Sequence, residues 1–308
     1  MPILGTAASQ NTKSFLAPAA PNVFVAVAYG SSSAATSTNG ITWTQRTMPS
    51  SANWKSVTYG NGVFAAIAFG SSVAASSTDG ITWTQRTMPS STSWRSVTYG
   101  GGVFAAVAVD TSIAASSTDG ITWTQRTLPS STSWRSVTYG GGTFVAVSYY
   151  TDSATSTDGI TWTARTLPNG GYWESVTYGG GVFVTVAGNY YAPDYAASST
   201  DGITWTARTL PALTFHPFTP SWKSVTYGGG VFVTVAYYTT IAASSTNGIT
   251  WTQRTLPLAF WNLVAYGGGV FAAIAFGPSV AASSTNGITW TQRTLAPSVS
   301  WSALAYGG

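Results

Sequence analysis

The sequence predicts an all-β fold, a seven-bladed β-propeller with four antiparallel strands in each blade. Three observations lead to this prediction. A Trp-marked repeat of roughly forty residues occurs seven times, each repeat contains four strand-like runs, and the two chain ends share one repeat between them. The abundance of Gly, Ser, Thr and aromatic residues also favours short strands joined by tight turns.

Two tryptophans mark each repeat, and together they account for all 14 Trp of the chain. One ends a Gly-Ile-Thr-Trp run, and successive copies are 39 to 46 residues apart; it stands at Trp43, Trp83, Trp123, Trp162, Trp205, Trp251 and Trp290. The other opens a second motif, at Trp54, Trp94, Trp134, Trp173, Trp222, Trp261 and Trp301.

The second repeat shows the strands, which we label A to D. Strand A is predicted over 54–59, B over 63–68, C over 74–78 and D over 81–86. Strand B is apolar on both faces, as a strand between two neighbouring blades must be. Asp79-Gly80 predicts a type I′ hairpin turn between C and D, because that turn needs positive φ at both central residues. Met88-Pro89 predicts the end of strand D, because Pro interrupts strand pairing.

The chain ends predict how the ring closes. The first repeat begins at a strand B, 23–28, and the last strand, 301–306, is a strand A with nothing after it. Pairing these two completes the seventh blade and removes an open sheet edge. We therefore expect residues 22–308 to form the propeller and residues 1–21 to form an N-terminal tether.

The run from Ser77 to Trp83, Ser-Thr-Asp-Gly-Ile-Thr-Trp, resembles the Asp-box repeats of sialidases and related propellers, with a turn one residue shorter. This resemblance implies a propeller and little about activity, since such boxes lie on hairpin turns away from ligand faces. The box position is acid in four repeats and amide in three, so its residues are expected to be structural; they are Asn39, Asp79, Asp119, Asp158, Asp201, Asn247 and Asn286. Residues 1–10 resemble the N-terminal segment of many tailed-bacteriophage virion proteins.

Composition argues against several kinds of function. Charged residues make up 6% of the chain, with no Cys and one His, so we expect no disulfide, no metal site and no cofactor. We identify no signal peptide and no apolar run long enough to span a bilayer. Seven of the 12 basic residues are Arg at one repeated position of strand D, which predicts dispersed charge rather than a nucleic-acid face.

Departures from the repeat indicate where a ligand site could lie. The B–C loops of the fourth, fifth and sixth blades are rich in Tyr, Asn and Asp, and a long D–A loop lies between the fifth and sixth. Tyr rings can stack on sugars, while amides and carboxylates bond sugar hydroxyls. The predicted ligand-binding residues are Tyr149, Tyr150, Asp152, Asn189, Tyr190, Tyr191, Asp194, Tyr195, His216, Tyr237 and Tyr238.

These features favour a non-enzymatic phage virion protein that binds host-surface glycans. It would be made in the host cytoplasm and would contact other virion proteins through residues 1–20. The alternatives are a purely architectural decoration or tail protein, and a bacterial lectin-like or designed repeat propeller. A glycosidase would need a matched pair of carboxyl groups, and Asp152 with Asp194 is the pair that the sequence offers. We expect no catalytic residue, since the chain has a single Glu, Glu174, and few other acids outside the boxes.

Overall fold

The structure is a computed structural model that describes residues 20–168, 171–188, 195–211, 221–237, 239–277, 279–295, 297 and 299–308. Residues 1–19, which include most of the predicted tether, lie outside this part. No helix in the described ranges is long and apolar enough to cross a membrane.

The described residues form 28 strands. In chain order these are β1 (Val23–Ala28), β2 (Ser31–Ser37), β3 (Thr44–Ala52), β4 (Trp54–Gly60), β5 (Val63–Ala68), β6 (Ser71–Ser77), β7 (Thr84–Thr92), β8 (Trp94–Gly100), β9 (Val103–Ala108), β10 (Thr111–Ser117), β11 (Thr124–Thr132), β12 (Trp134–Gly140), β13 (Thr143–Ser148), β14 (Asp152–Ser156), β15 (Thr163–Thr166), β16 (Trp173–Gly179), β17 (Val182–Ala187), β18 (Tyr195–Ser199), β19 (Thr206–Thr209), β20 (Ser221–Gly228), β21 (Val231–Tyr237), β22 (Thr239–Ser245), β23 (Thr252–Ala259), β24 (Trp261–Gly267), β25 (Val270–Ala275), β26 (Val280–Ser284), β27 (Thr291–Thr294) and β28 (Trp301–Gly307).

These strands form seven four-stranded antiparallel sheets, one per blade, which confirms the predicted fold. Blades 2 to 7 each use four consecutive strands, beginning at β4, β8, β12, β16, β20 and β24. Blade 1 has the order β28-β1-β2-β3, and Val25 pairs with Ala305 across its first two strands. The C-terminal strand thus supplies the innermost strand of the N-terminal blade, and the ring closes as predicted.

Strand D extends further than its sequence predicts in four blades. It begins at Thr84 rather than Ile81 in blade 2 and continues through Pro89 to Thr92, after a register shift in its pairing with strand C. The expectation that Pro ends this strand is therefore wrong for β3, β7, β11 and β23. The physical reason is position, since strand D is the outer edge of the blade and an edge strand tolerates a residue without an N–H donor.

The Asp-Gly turns are held by side-chain hydrogen bonds. Oδ1 of Asp158 accepts the backbone N–H groups of Ile160 and Thr161 at 2.8 and 2.9 Å, and the Ser156 hydroxyl donates to it as well. The bonds from Thr161 and Ile160 lower the pKa of Asp158 below its ordinary value. Only the glycine has positive φ, +69° at Gly159, so the predicted type I′ turn is wrong.

The same hydrogen bonds recur where the box residue is an amide. Oδ1 of Asn39 accepts from the backbone N–H groups of Ile41 and Thr42 at 2.9 Å each. An amide oxygen and a carboxylate oxygen are both acceptors, so either side chain can satisfy these N–H groups. This explains why acid and amide interchange between blades, and it supports the structural role predicted for the box residues.

The hydrophobic core lies between adjacent blades. In one cluster, Val25 and Val27 of blade 1 pack with Trp54, Phe64 and Ala66 of blade 2. Strand B is buried almost throughout, because both of its faces meet neighbouring sheets. Small residues allow the close approach: a Cβ on Gly60 would overlap the Tyr99 ring of the next blade, and the same Gly–Tyr contact recurs around the ring.

Strand order places the B–C and D–A loops on one face of the ring, which we call the loop face. The backbone joins these loops, since Val109 donates its N–H to Ser93 O at 2.9 Å and Tyr149 donates to Ser133 O at 2.7 Å. The A–B turns and the Asp-Gly turns lie on the opposite face. The residues predicted to bind a ligand therefore belong to the loop face, as far as they are described.

Candidate ligand site at the loop face

A cavity on the propeller axis opens among the innermost strands. Each of these strands has a Trp as its first or second residue, and the residue after that Trp contributes to the cavity wall in every blade. These seven residues, in order around the ring, are Ser302, Lys55, Arg95, Arg135, Glu174, Lys223 and Asn262. The cavity has a volume of about 190 Å³. Because these positions lie near the start of strand A, the cavity is at the loop-face end of the axis.

Glu174 joins two of the cations in this axial cavity. Its carboxylate accepts from Arg95 Nη2 at 3.2 Å and from Lys223 Nζ at 3.1 Å. The Glu174 side chain is 8% exposed, while those of Arg95 and Lys223 are 21% and 22% exposed. Burial acts to raise the pKa of Glu174, but Lys223, Arg95 and Arg135 outweigh it and hold that pKa below its ordinary value. The carboxylate is therefore ionised and engaged with two cations at neutral pH.

The other two cations lack a carboxylate partner among the described residues. Arg135 lies against the Tyr149 ring, with its guanidinium carbon 4.4 Å from the ring centroid. The Arg135 Nε atom is buried and has no hydrogen-bond acceptor among the described residues. No hydrogen bond or ion pair joins Lys55 to a described side chain, although Arg95 and Glu174 are close enough to influence its charge. Arg135 and Lys55 are thus the cations with capacity for another anion.

Burial lowers the pKa of Lys55 from 10.5 to about 7, and the positive charge of Arg95 adds to this effect. In the unfolded chain the ammonium keeps its ordinary, higher pKa. Between these two values the unfolded state binds more protons, so folding stability increases as the pH rises from about 7 towards 10. A charged Lys55 consequently lowers the folding stability of the unliganded protein at pH 6, and a bound anion would offset this loss.

The remaining two wall positions are neutral. The Ser302 hydroxyl donates to the backbone oxygens of Val27 and Trp54, so it is already engaged in the joint between blades 1 and 2. Asn262 has no hydrogen-bond partner among the described residues, which leaves its amide available. The charged wall positions therefore lie in blades 2 to 6, and the two neutral ones lie side by side in blades 7 and 1.

Hydrogen bonds between innermost strands fix the wall. The Ser that follows each wall residue accepts an N–H from the next blade: Val97 donates to Ser56 Oγ at 3.0 Å and Val137 donates to Ser96 Oγ at 3.1 Å. The same bond links the blades up to Val264 and Ser224. Leu263 and Ala303 replace this Ser in blades 7 and 1, so those two joints lack the bond.

Three tyrosines form a cluster beside the cavity. The Tyr149 ring centroid lies 4.7 Å from that of Tyr172 and 5.5 Å from that of Tyr150. Tyr150 is 55% exposed, whereas Tyr149 is half-buried over Arg135. The Tyr149–Tyr150–Tyr172 cluster therefore connects an exposed aromatic surface to Arg135, a half-buried cation at the axis.

The structure brings together only part of the predicted site. Tyr149 and Tyr150 are in this cluster. Asp152 begins β14 and pairs with Thr166, and Tyr195 begins β18 and packs on the core between blades. Tyr237 ends β21, with its ring 5.3 Å from that of Phe260. The other predicted residues lie outside the described part of the chain; they are Asn189, Tyr190, Tyr191, Asp194, His216 and Tyr238.

The cavity wall and Tyr172 were not predicted as site residues, although a signal for both is present in the sequence. The motif that opens strand A is Trp-x-Ser-Val-Thr-Tyr, and x is Lys, Arg, Arg, Glu and Lys in blades 2 to 6. It is the one position of this motif that changes in charge from blade to blade. Gly171-Tyr172 likewise departs from the Thr-Ser or Ala-Asn that precedes the Trp in blades 2 to 4.

The repeated Arg of strand D has a structural role. Its Nε donates to a Ser or Thr hydroxyl of strand C in the same blade at 2.8 to 3.1 Å, for example from Arg126 to Ser116. Four of the five remaining basic residues line the axial cavity. Within the described ranges, no three His, Cys, Asp or Glu side chains lie together as a metal site would require.

Comparison with known proteins supports the fold, and one family model matches a segment of the chain. Residues 166–302 match the family described as the DUF6242 beta propeller domain, which is less than half of the chain. A search of curated proteins found no match to the sequence.

Solved structures resemble the chain over most of its length. A streptogramin B lyase has a TM-score of 0.70 at 13% identity, covering 82% of this chain and 87% of its own. A virginiamycin B lyase from Staphylococcus aureus has a TM-score of 0.69 at 12% identity, with coverages of 80% and 85%. YCF48 bound to a D1 peptide has a TM-score of 0.60 at 14% identity, with coverages of 87% and 89%.

At these identities the similarity concerns the fold alone. The lyases and the peptide-binding YCF48 have different activities on similar rings, as expected when function depends on the site rather than on the fold. The chain is accordingly a seven-bladed β-propeller with a segment, residues 166–302, that matches the DUF6242 propeller domain.

Proposed function

We propose that this propeller is a non-enzymatic binding module that recognises a cell-surface glycan on its loop face. The observation that carries the proposal is the Tyr149–Tyr150–Tyr172 cluster, where an exposed ring leads to Arg135 and the axial cavity. Aromatic rings pack against the apolar face of a pyranose, and the adjacent cations and amide can bond its polar substituents.

The chemistry of the site favours binding over turnover. Glycoside hydrolysis needs two carboxyl groups on either side of one bond. Glu174 is the carboxylate of the cavity wall, and its two oxygens bond Lys223 and Arg95. Asp152 is a strand residue paired with Thr166. A single carboxylate that is already paired with two cations supplies no acid–base pair, so a ligand would be held rather than cleaved.

The setting we propose is the surface of a tailed-phage virion, where the ring would attach the particle to its host. This part of the proposal depends on residues 1–10, which resemble the N-terminal segment of many tailed-bacteriophage virion proteins. The alternative is an architectural virion protein that contacts only other virion proteins. An architectural protein would not need the exposed ring of Tyr150 beside a cationic cavity.

Replacing both Tyr149 and Tyr150 by Ala is expected to weaken glycan binding strongly while leaving the ring folded. Aromatic ring contacts each contribute about 0.5 to 1.5 kcal/mol beyond their buried area, so losing two rings should weaken binding by roughly 5- to 150-fold. The measurement is binding of the purified chain to a panel of bacterial surface polysaccharides, with melting temperature recorded in parallel.

Tyr29→Ala is the matched control, because Tyr29 is an exposed tyrosine of the blade 1 B–C loop, far around the ring from the cluster. It should bind as the wild-type chain does. Unchanged binding by the Tyr149/Tyr150 double variant would move the site elsewhere. Absence of any binding by the wild-type chain to polysaccharides and to host cells would favour the architectural alternative.

A further inference from the structure

We propose that the axial cavity holds an anionic substituent of the bound glycan, a carboxylate, sulfate or phosphate group, between Lys55 and Arg135. This inference rests on the proposed function and specifies its ligand as an acidic glycan.

The cavity carries an excess of positive charge. Lys55, Arg95, Arg135 and Lys223 face a single carboxylate, Glu174, so four cations minus one anion leave a net charge of +3 when Lys55 is protonated. Like charges held together in a partly buried space repel each other and are costly without a counter-charge. The described wall residues supply no second carboxylate, so an anion from outside would complete the charge balance.

The cations divide into an engaged pair and a free pair. Arg95 and Lys223 are engaged by Glu174, at 3.2 and 3.1 Å. Arg135 keeps a buried Nε without an acceptor, and Lys55 has no hydrogen-bond partner among the described residues. Arg135 is also fixed in place by the Tyr149 ring, which reduces the entropy lost when it binds. A fixed guanidinium and an ammonium are groups that bind oxyanions well.

The cavity is large enough for an acidic group. Its volume is about 190 Å³, well above the roughly 10 to 15 Å³ of such space that one water molecule needs. A carboxylate, sulfate or phosphate group therefore fits between the wall residues. Because Tyr149 contacts Arg135 from the loop face, a sugar against the tyrosine cluster could extend its acidic substituent to the axis. The Asn262 amide would be available for a neighbouring hydroxyl.

Thermal unfolding of the full chain with four related sugars tests this inference. Glucuronate, glucose 6-sulfate and glucose 6-phosphate carry the three kinds of anion, and glucose is the neutral control, all at pH 6 and equal ionic strength adjusted with NaCl. An acidic sugar that binds in the cavity, added at a concentration about twenty times its Kd, should raise the melting temperature by roughly 2 to 4 °C. Glucose should not raise it. The acid with the largest effect identifies the substituent.

Two charge-matched variants locate the effect. The cavity variant, Lys55→Gln with Arg135→Gln, should abolish the acid-dependent rise in melting temperature. The control variant, Arg126→Gln with Arg165→Gln, removes the same charge from the outer strands of two blades and should keep that rise. The cavity variant relieves repulsion, so its own melting temperature should not decrease. If the cavity variant fails to fold, the wild-type chain is measured at pH 8.5 instead. Lys55 faces Arg95, Arg135, Lys223 and Glu174, and at this pH it loses its charge. The acid-dependent rise in melting temperature should then be smaller than at pH 6.

A rise no larger than that with glucose, or a rise that persists in the cavity variant, would overturn the inference. The proposed function is judged separately, by polysaccharide binding. Glycan binding without an acid-dependent rise in melting temperature would support the binding module and contradict the anion site. A rise in melting temperature without polysaccharide binding would support the anion site and contradict its assignment to a glycan.

Discussion

Deleting the C-terminal strand, residues Trp301–Gly307, together with Gly308 is expected to abolish cooperative folding of the ring at 37 °C. The deletion removes the fully buried Trp301 and exposes one whole edge of β1, which is buried in the closed ring. It also removes Tyr306, whose ring packs on Phe24 and on Gly267 of blade 7. Each large buried side chain contributes about 1.5 to 3 kcal/mol, so the combined loss is comparable with a total stability of about 5 to 15 kcal/mol. Calorimetry and circular dichroism would measure the loss.

A circular permutant distinguishes ring closure from general damage at a chain end. Gly307 pairs with Val23, so the C-terminal strand can be joined by a short linker to the start of β1. Beginning the chain at Ser300 and ending it at Val299 then restores every strand with different termini. This permutant should melt close to the wild-type temperature. A deletion variant that unfolds at the wild-type temperature would contradict the role of β28 as the closing strand.

Replacing Glu174 by Gln is expected to lower the free energy of unfolding by about 3 kcal/mol, because buried charges left without their counter-ion are strongly destabilising. Glu174 is the one acid among the seven residues of the cavity wall, and it is bonded to Arg95 and Lys223. The variant leaves four cations around the axis with no carboxylate. The two cations are about one-fifth exposed, which places the cost at the lower end of the range for buried pairs. Urea unfolding at pH 7 would measure it.

Asp119→Asn is the control, since it removes one carboxylate from an exposed turn where Asn occurs in other blades. It should change stability by a few tenths of a kcal/mol. The pKa of Glu174 is lowered in the folded state, so its stabilising contribution is present above the ordinary glutamate pKa of about 4.3 and is lost as the pH falls further. The wild-type chain and Glu174→Gln should therefore converge in acid. A constant difference from pH 7 to pH 3 would contradict an ionised, paired Glu174.

Most of the fold could be predicted from the repeats. Strand B needs two apolar faces, the Trp spacing gives seven blades, and the unpaired terminal strands predict ring closure. Two local predictions failed because they depend on position within the blade. Pro89 remains in a strand because strand D is an outer edge, and Asp79 does not adopt positive φ because its carboxylate accepts the N–H groups of Ile81 and Thr82.

The site was only partly predictable, because differences between repeats are most visible in the loops, whereas half of the site lies on the innermost strands. Tyr149 and Tyr150 were found as loop departures from the repeat. The axial wall was missed because each of its residues lies inside an otherwise constant strand, one per blade, at intervals of about forty residues. Only closure of the ring brings Lys55, Arg135 and Glu174 together. A search for charge variation at constant repeat positions would have found them.

Hydrogen–deuterium exchange on the full chain tests the location of the site most directly. It is measured with and without the polysaccharide that binds best in the panel of bacterial surface polysaccharides. We expect added protection in the peptides that contain Ser133 to Tyr150 and Tyr172 to Glu174, where the tyrosine cluster meets the axial cavity. The Asp-Gly turns on the opposite face should exchange as they do in the free chain. Protection confined to those turns, or no protection anywhere in the described ring, would contradict a ligand site on the loop face.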